Sequence, residues 1–113
     1  MGNPVVHFEI MGTDAAKTQA FYGELFGWKI NADNEFNYGL VEKEEGGIGG
    51  GVGATPEGRP AVTVYVQVPD PQAALEKALA LGATVVMPVT EMPMVTMALF
   101  ADPDGNLVGI VKE

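Results

Sequence analysis

The order of apolar and polar positions predicts the same series of elements twice along this chain. In each half, an alternating stretch typical of a strand precedes a segment with helical spacing and then three further strand-like stretches. The first half has strands at Val5–Met11, Trp28–Ile30, Phe36–Glu42 and Ile48–Ala54, with a helix at Ala15–Phe26. The second half has strands at Ala61–Val68, Thr84–Val89, Val95–Asp102 and Asn106–Glu113, with a helix that starts at Pro71.

Both predicted helices carry recognisable end residues. Thr13 or Asp14 can cap the first helix and Asp70 the second, while Gly27 and Gly82 suit the left-handed conformation that often ends a helix. Helical spacing predicts a stripe of apolar residues on each helix that packs against a sheet. These stripes are Ala16, Ala20, Phe21 and Leu25 in the first helix, and Leu75, Ala78 and Leu79 in the second.

The two helix-ending glycines lie about 55 positions apart, which indicates an internal repeat. We expect one α+β domain over residues 1–113, made of a first module at about 4–54, a linker over residues 55–60, and a second module at about 61–113. Each half can cover one face of its small sheet with its helix. The uncovered faces of the two halves can then form one cleft for a ligand.

Composition narrows the class of protein. The chain has 113 residues, 47% of them apolar, which suffices for the core of a single domain. Its net charge of −9 argues against nucleic-acid binding and against an anionic membrane surface. It has no cysteine, which excludes disulfides and thiol chemistry. We find no signal-peptide pattern or membrane-spanning run, so we expect a cytoplasmic protein.

Strand alternation predicts which side chains line the cleft. If Phe8 and Ile10 pack on the helix, then His7 and Glu9 face the opposite side of the first strand. The same alternation in the second module predicts that Val64, Val66 and Val68 pack inward, as do Val108 and Ile110. The predicted ligand-contacting residues of the second module are therefore Thr63, Tyr65, Gln67 and Leu107. Met97 is added to them because methionine side chains are adaptable and suit pockets for varied apolar ligands.

His7 is the only histidine of the chain, and several roles are open to it. His7 and Glu9 could form an acid–base pair, in which partial burial beside a carboxylate would raise the pKa of His7. His7 could instead contact a ligand without catalysis, ligate a metal, or simply hydrogen-bond a neighbour on the sheet.

Three segments together resemble a known superfamily: HFEI, TDAAKTQAFYGELFGWKI and, near the C-terminus, FADPDGNLVGIV. They are similar to the vicinal oxygen chelate proteins, which include glyoxalases, bleomycin-resistance proteins and extradiol dioxygenases. The resemblance covers nearly the whole chain. It implies two tandem βαβββ modules that form a curved mixed sheet around a cleft, and it implies a homodimer. Enzymes of this superfamily hold a divalent metal with His and Glu from both modules.

Of the ligand positions that the resemblance implies, only His7 carries a metal-binding side chain. The matching positions hold Thr63 in the second module and Gly109 in the last strand, and the fourth strand offers Ile48, Val52 or backbone. The resemblance therefore implies a small-molecule-binding protein that has a degenerate metal site and no cofactor. Binding of a divalent metal is the alternative. Two other functions stay open: a lyase or isomerase that acts on a small oxygenated substrate through His7 or Glu9, and a drug-sequestering binder.

Overall fold

A computed structural model describes residues 2–55 and 59–113, so residues 56–58 of the predicted linker lie outside the described residues. Within these ranges, no helix is long and apolar enough to span a membrane. The repeated βαβββ order confirms the predicted α+β fold with two modules. The elements are β1 Val5–Gly12, α1 Ala15–Phe26, β2 Ile30–Asn31, β3 Gly39–Val41, β4 Gly49–Ala54, β5 Ala61–Val68, α2 Pro71–Ala80, β6 Thr84–Glu91, β7 Thr96–Ala101 and β8 Leu107–Lys112.

The chain divides into two compact units, of which the first spans His7–Val62. Its strands lie in the order β2-β3-β4-β1. β1 and β4 are parallel, with Glu9 opposite Gly51, whereas β2, β3 and β4 pair antiparallel. Helix α1 packs against β4. Asp14, one of the two predicted candidates, caps this helix by accepting a hydrogen bond from the Lys17 backbone at 3.2 Å.

One face of this sheet forms the core of the first unit. Val52 of β4 is fully buried there, and the Phe8 ring lies across Gly50 of the same strand. A Cβ at Gly50 would overlap the Phe8 ring, so a side chain at this position would displace it. Phe8 also packs on Trp28, with ring centroids 5.2 Å apart.

The predicted apolar stripe of α1 does not face the sheet, and this prediction was wrong. Phe21 and Leu25 are 59% and 58% exposed. The helix instead presents Gln19 and Tyr22 to the sheet. Gln19 donates hydrogen bonds to the carbonyls of Asn37 and Val52, and Tyr22 stacks on Trp28 at 5.9 Å. These polar and aromatic contacts therefore mark the face of the helix that lies against the sheet.

The second unit spans Thr63–Glu113 together with the residues up to Val6. Its strands lie in the order β5-β8-β7-β6, and β5 runs parallel to β8. Helix α2 packs against β6, β7 and β8, and Asp70 caps it as predicted. The core of the unit is formed by Val68, Leu75, Ala98 and Ile110.

Inward packing of the β5 valines is only partly confirmed. Val68 belongs to the core of the second unit and Val66 packs against it, but Val64 is 41% exposed. The reason is the position of α2, whose main contacts are with β6, β7 and β8 rather than with β5. The prediction for α2 was also partly wrong, because Leu75 is buried while Leu79 is 40% exposed.

Candidate functional site

Three polar side chains converge on the face of the first unit that lies opposite α1. His7 and Glu9 project from β1 on the same side, as the alternation predicted, and Tyr38 reaches both of them. The Tyr38 hydroxyl lies 3.0 Å from His7 Nε2 and 2.9 Å from Glu9 Oε2. The His7 and Tyr38 rings are nearly parallel, at an angle of 19°. We call these three residues the His7–Tyr38–Glu9 network.

The direction of the two hydrogen bonds follows from proton counting. A phenol has one proton to donate, and a carboxylate can only accept. Tyr38 therefore donates to Glu9 Oε2, and its oxygen accepts a hydrogen bond from His7 Nε2–H. The network thus favours the imidazole tautomer that carries its proton on Nε2, and that nitrogen has no lone pair to offer a metal.

Burial lowers the pKa of His7, because it removes solvent from the charged imidazolium. The negative charge of Glu9 acts in the opposite direction and is the smaller effect. The expectation that the pKa of His7 would be raised was therefore wrong: removal of water outweighs the attraction of the carboxylate. The lowered pKa favours the neutral imidazole, in which Nε2–H can donate to the Tyr38 oxygen.

The lowered pKa of His7 predicts a pH dependence of stability. Folding favours the neutral imidazole, so this contribution to stability is fully present above the ordinary histidine pKa of about 6.5 and is lost as the pH falls through the lowered folded value. Urea unfolding should show a larger loss of stability between about pH 7.5 and pH 5.5 in the wild type than in His7→Gln, which cannot titrate. Equal losses in both proteins would contradict this assignment.

Tyr38 is held in place by a turn that the sequence did not reveal. The strand predicted at Phe36–Glu42 is shorter in the structure, where β3 begins at Gly39. The Asn34 side chain accepts hydrogen bonds from the backbone of Phe36 and Tyr38 and donates one to the Tyr38 carbonyl at 2.7 Å. The sequence by itself does not decide whether Tyr38 lines a pocket or belongs to the core.

Gly51 leaves room for the Tyr38 ring. It pairs with Glu9 across β4 and β1, and Tyr38 lies over it on the way to β1. A Cβ at Gly51 would overlap the hydroxyl and the ring of Tyr38. At Gly53 a Cβ would make only ordinary contacts, 3.5 Å from Met11 and from Tyr38. The absence of a side chain at Gly51 is therefore what allows the network to form.

The predicted ligand residues of the second module lie on one face of their own half-sheet. Tyr65 pairs with Gly109, and its ring covers that glycine. In the register of β5, β7 and β8, four other side chains lie on the same face as Tyr65: Thr63, Gln67, Met97 and Leu107. Thr63 and Tyr65 are buried, at 2% and 4% exposure, whereas the other three are partly exposed.

The residues present do not fit a divalent metal centre of the kind that the resemblance implies. Such a centre needs three or four nitrogen, oxygen or sulfur ligands around one point. No group of three His, Cys, Asp or Glu residues able to hold a metal occurs in residues 2–55 and 59–113. His7 Nε2 is engaged by Tyr38, and Gly51 and Gly109 provide no side-chain ligand.

Two open surface depressions do not coincide with this network. One, of about 300 Å³, lies along the edge formed by β2 and β3, and the other, of about 390 Å³, lies beside the start of α2. Neither is lined by a member of the His7–Tyr38–Glu9 network. We place the candidate site at the network because its polar groups converge there, whereas the depressions are shallow.

A family model of the glyoxalase-like domain matches residues 7–111, which covers most of both modules. The chain belongs to the glyoxalase-like domain family. This confirms the resemblance to the vicinal oxygen chelate superfamily. No curated protein matches this glyoxalase-like domain.

Solved structures share the fold of this glyoxalase-like domain at low sequence identity. A superfamily member from Vibrio splendidus 12B01 is 16% identical, with a TM-score of 0.63 and 98% of each chain covered. Methylmalonyl-CoA epimerase from Mycobacterium tuberculosis is 15% identical, with a TM-score of 0.68, over 96% of this chain and 86% of the epimerase. A hypothetical protein from Bacillus halodurans C-125 is 14% identical, with a TM-score of 0.70, over 100% and 96% of the two chains. At these identities the likeness establishes the fold alone.

Proposed function

We propose that this glyoxalase-like domain binds a small molecule without a metal, through the His7–Tyr38–Glu9 network of its first module. The observation that carries the proposal is the Tyr38 hydroxyl, which bonds both His7 and Glu9 on the side of the sheet that α1 leaves uncovered. It ties His7, the one residue that matches the superfamily's metal ligands, into a hydrogen-bonded group. Polar groups arranged in this way orient a ligand by hydrogen bonds rather than by chelation.

The surroundings of the network favour a small molecule with both polar and apolar parts. On this face β4 contributes only the glycines Gly49, Gly51 and Gly53, and the Tyr38 ring occupies the space above Gly51. Leu40, which pairs with Gly51, is 53% exposed beside them. A hydroxyl or amine group of the ligand would lie at the network, and its apolar part would pack on Leu40.

Removing the Tyr38 hydroxyl tests this proposal. A thermal-shift screen of hydroxylated and amine metabolites, run with EDTA, should identify ligands that raise the melting temperature of the wild type. Isothermal titration should then show an affinity about tenfold or more lower for Tyr38→Phe. Without the hydroxyl, His7 and Glu9 are no longer held in position for the ligand, and a hydrogen bond to a charged group such as the Glu9 carboxylate is worth about 1.5–3 kcal/mol.

Tyr22→Phe is the matched control, since Tyr22 lies on α1 in the aromatic group around Trp28, on the opposite face of the sheet. This variant should bind with wild-type affinity. Two results would contradict metal-free binding at the network: stoichiometric divalent metal that copurifies and is required for binding, or equal affinities of Tyr38→Phe and the wild type.

A second candidate function is an acid–base enzyme of the lyase or isomerase type. The lowered pKa of His7 favours it, because a neutral imidazole beside a carboxylate is suited to accept a proton from a small oxygenated substrate. Ligands from the screen that carry an acidic C–H bond should then exchange that hydrogen with solvent deuterium, as measured by NMR. His7→Ala should abolish the exchange, and exchange at the wild-type rate in this variant would exclude His7 as the base.

A further inference from the structure

The outer face of α1 is apolar at its centre, although nothing in the first unit covers it. Ala16 and Ala20 are exposed there, beside Phe21 and Leu25 at 59% and 58% exposure. A phenylalanine and a leucine one helical turn apart form a continuous apolar ridge. Such a ridge on a helix surface is typical of an interface with another protein surface.

The two charged residues on this face, Lys17 and Glu24, lie at the helix ends where the helix dipole disfavours their charges. Lys17 lies in the first turn and Glu24 in the last, and α1 has no acidic residue in its first turn and no basic residue in its last. The N-terminal end of a helix favours negative charge and the C-terminal end positive charge, so each of these residues is at the less favourable end. Lys17 and Glu24 are seven positions apart and therefore lie on the same side of the helix.

We propose that α1 pairs with α1 of a second copy of this chain, antiparallel and across a two-fold axis near Phe21. A two-fold interface brings the same surface patch of both subunits together. Lys17 and Glu24 are equally distant from the point between Ala20 and Phe21, so antiparallel pairing places Lys17 opposite Glu24 of the partner subunit. The same symmetry forms this ion pair twice and packs the two apolar ridges against each other.

The antiparallel arrangement also resolves the unfavourable position of both charges. Each Lys17 then lies beside the C-terminal end of the partner helix, and each Glu24 beside the N-terminal end, which are the ends that favour them. Parallel pairing would instead bring Lys17 against Lys17 and Glu24 against Glu24. The charge pattern thus selects a second copy in one orientation, and this inference does not depend on the proposed ligand function.

The test is the mass in solution, measured by sedimentation equilibrium at micromolar concentrations. The wild type should have twice the 11.9 kDa mass of the chain. Lys17→Glu should raise the dissociation constant about tenfold, since two ion pairs become repulsive at somewhat under 1 kcal/mol each. The double variant Lys17→Glu/Glu24→Lys should recover most of the wild-type affinity, because the opposite charges again face each other.

Two further variants separate the interface from folding. Phe21→Glu should give a monomer with the wild-type circular dichroism spectrum, whereas Leu81→Glu, at a residue 72% exposed in the other unit, should leave the dimer intact. Lys17→Glu places a negative charge where a single helix favours it, so weaker dimerisation would not reflect a weaker helix. A monomeric wild type, an unaffected Lys17→Glu variant, or a double variant no better than Lys17→Glu would each overturn the proposal.

Discussion

Replacing Gly51 with alanine is expected to lower the free energy of unfolding by about 1–3 kcal/mol, the usual cost of an extra methyl group in a filled space. The added Cβ would overlap the Tyr38 hydroxyl and ring. Tyr38 must then move away from β1, and its hydrogen bonds to His7 and Glu9 are lost together. Urea denaturation measures the loss of stability, and titration with a ligand from the thermal-shift screen should show reduced affinity.

Gly53→Ala is the control for this substitution, on the same strand and the same face. A Cβ there would lie 3.5 Å from its nearest neighbours, and the loss of a flexible glycine from the unfolded chain stabilises a protein by about 0.4–1 kcal/mol. We therefore expect Gly53→Ala to be neutral or slightly stabilising. If both alanine variants had the same stability, the close approach of Tyr38 to Gly51 would not be important for the fold.

Leu75→Ala is expected to destabilise the second unit by about 2–5 kcal/mol. Leu75 is 4% exposed and packs in the core with Val68, Ala98 and Ile110. Ala98 is already small, so its neighbours can fill little of the cavity left by the lost leucine side chain. Chemical denaturation monitored by circular dichroism measures the change.

Leu81→Ala is the corresponding control, because Leu81 follows the same helix and is 72% exposed. It should change the free energy of unfolding by less than about 0.5 kcal/mol. A cost for Leu81→Ala as large as that for Leu75→Ala would mean that the Leu81 surface is covered in solution. Mass measurements on the two variants would then show whether a second chain covers it.

The two modules share a local arrangement of glycine and tyrosine. Gly51 in β4 pairs with Glu9 and lies under Tyr38, and Gly109 in β8 pairs with Tyr65 and lies under its ring. In both modules the glycine lies in the last strand, on the face opposite the helix. Superfamily enzymes use last-strand positions for metal ligands, and here the side chain is absent and a tyrosine ring covers the backbone. In the first module this arrangement holds the Tyr38 hydroxyl between His7 and Glu9, the observation on which the proposed metal-free binding rests.

The amino-acid sequence by itself determined the order of elements and much of their local geometry. Strand alternation placed His7 and Glu9 on one face of β1, because side chains of a strand alternate strictly whatever packs around them. Asp14 and Asp70 were predictable as helix caps for a similar reason, since a cap depends on residues within one turn. The repeat in the pattern was also sufficient to predict two βαβββ modules.

Only the tertiary structure decided what lies against each face. Periodicity predicted that Phe21 and Leu25 face the sheet, but the hydrogen bonds of Gln19 to distant carbonyls turned the helix the other way. Tyr38 joined His7 and Glu9 through a turn held by the Asn34 side chain and through the space above Gly51. The hydrogen bonds of Gln19 and the one from Tyr38 to Glu9 link residues 18 to 33 positions apart. Patterns within one element carry no information about such partners, so neither the rotation of α1 nor the centre of the candidate site could be predicted from the chain alone.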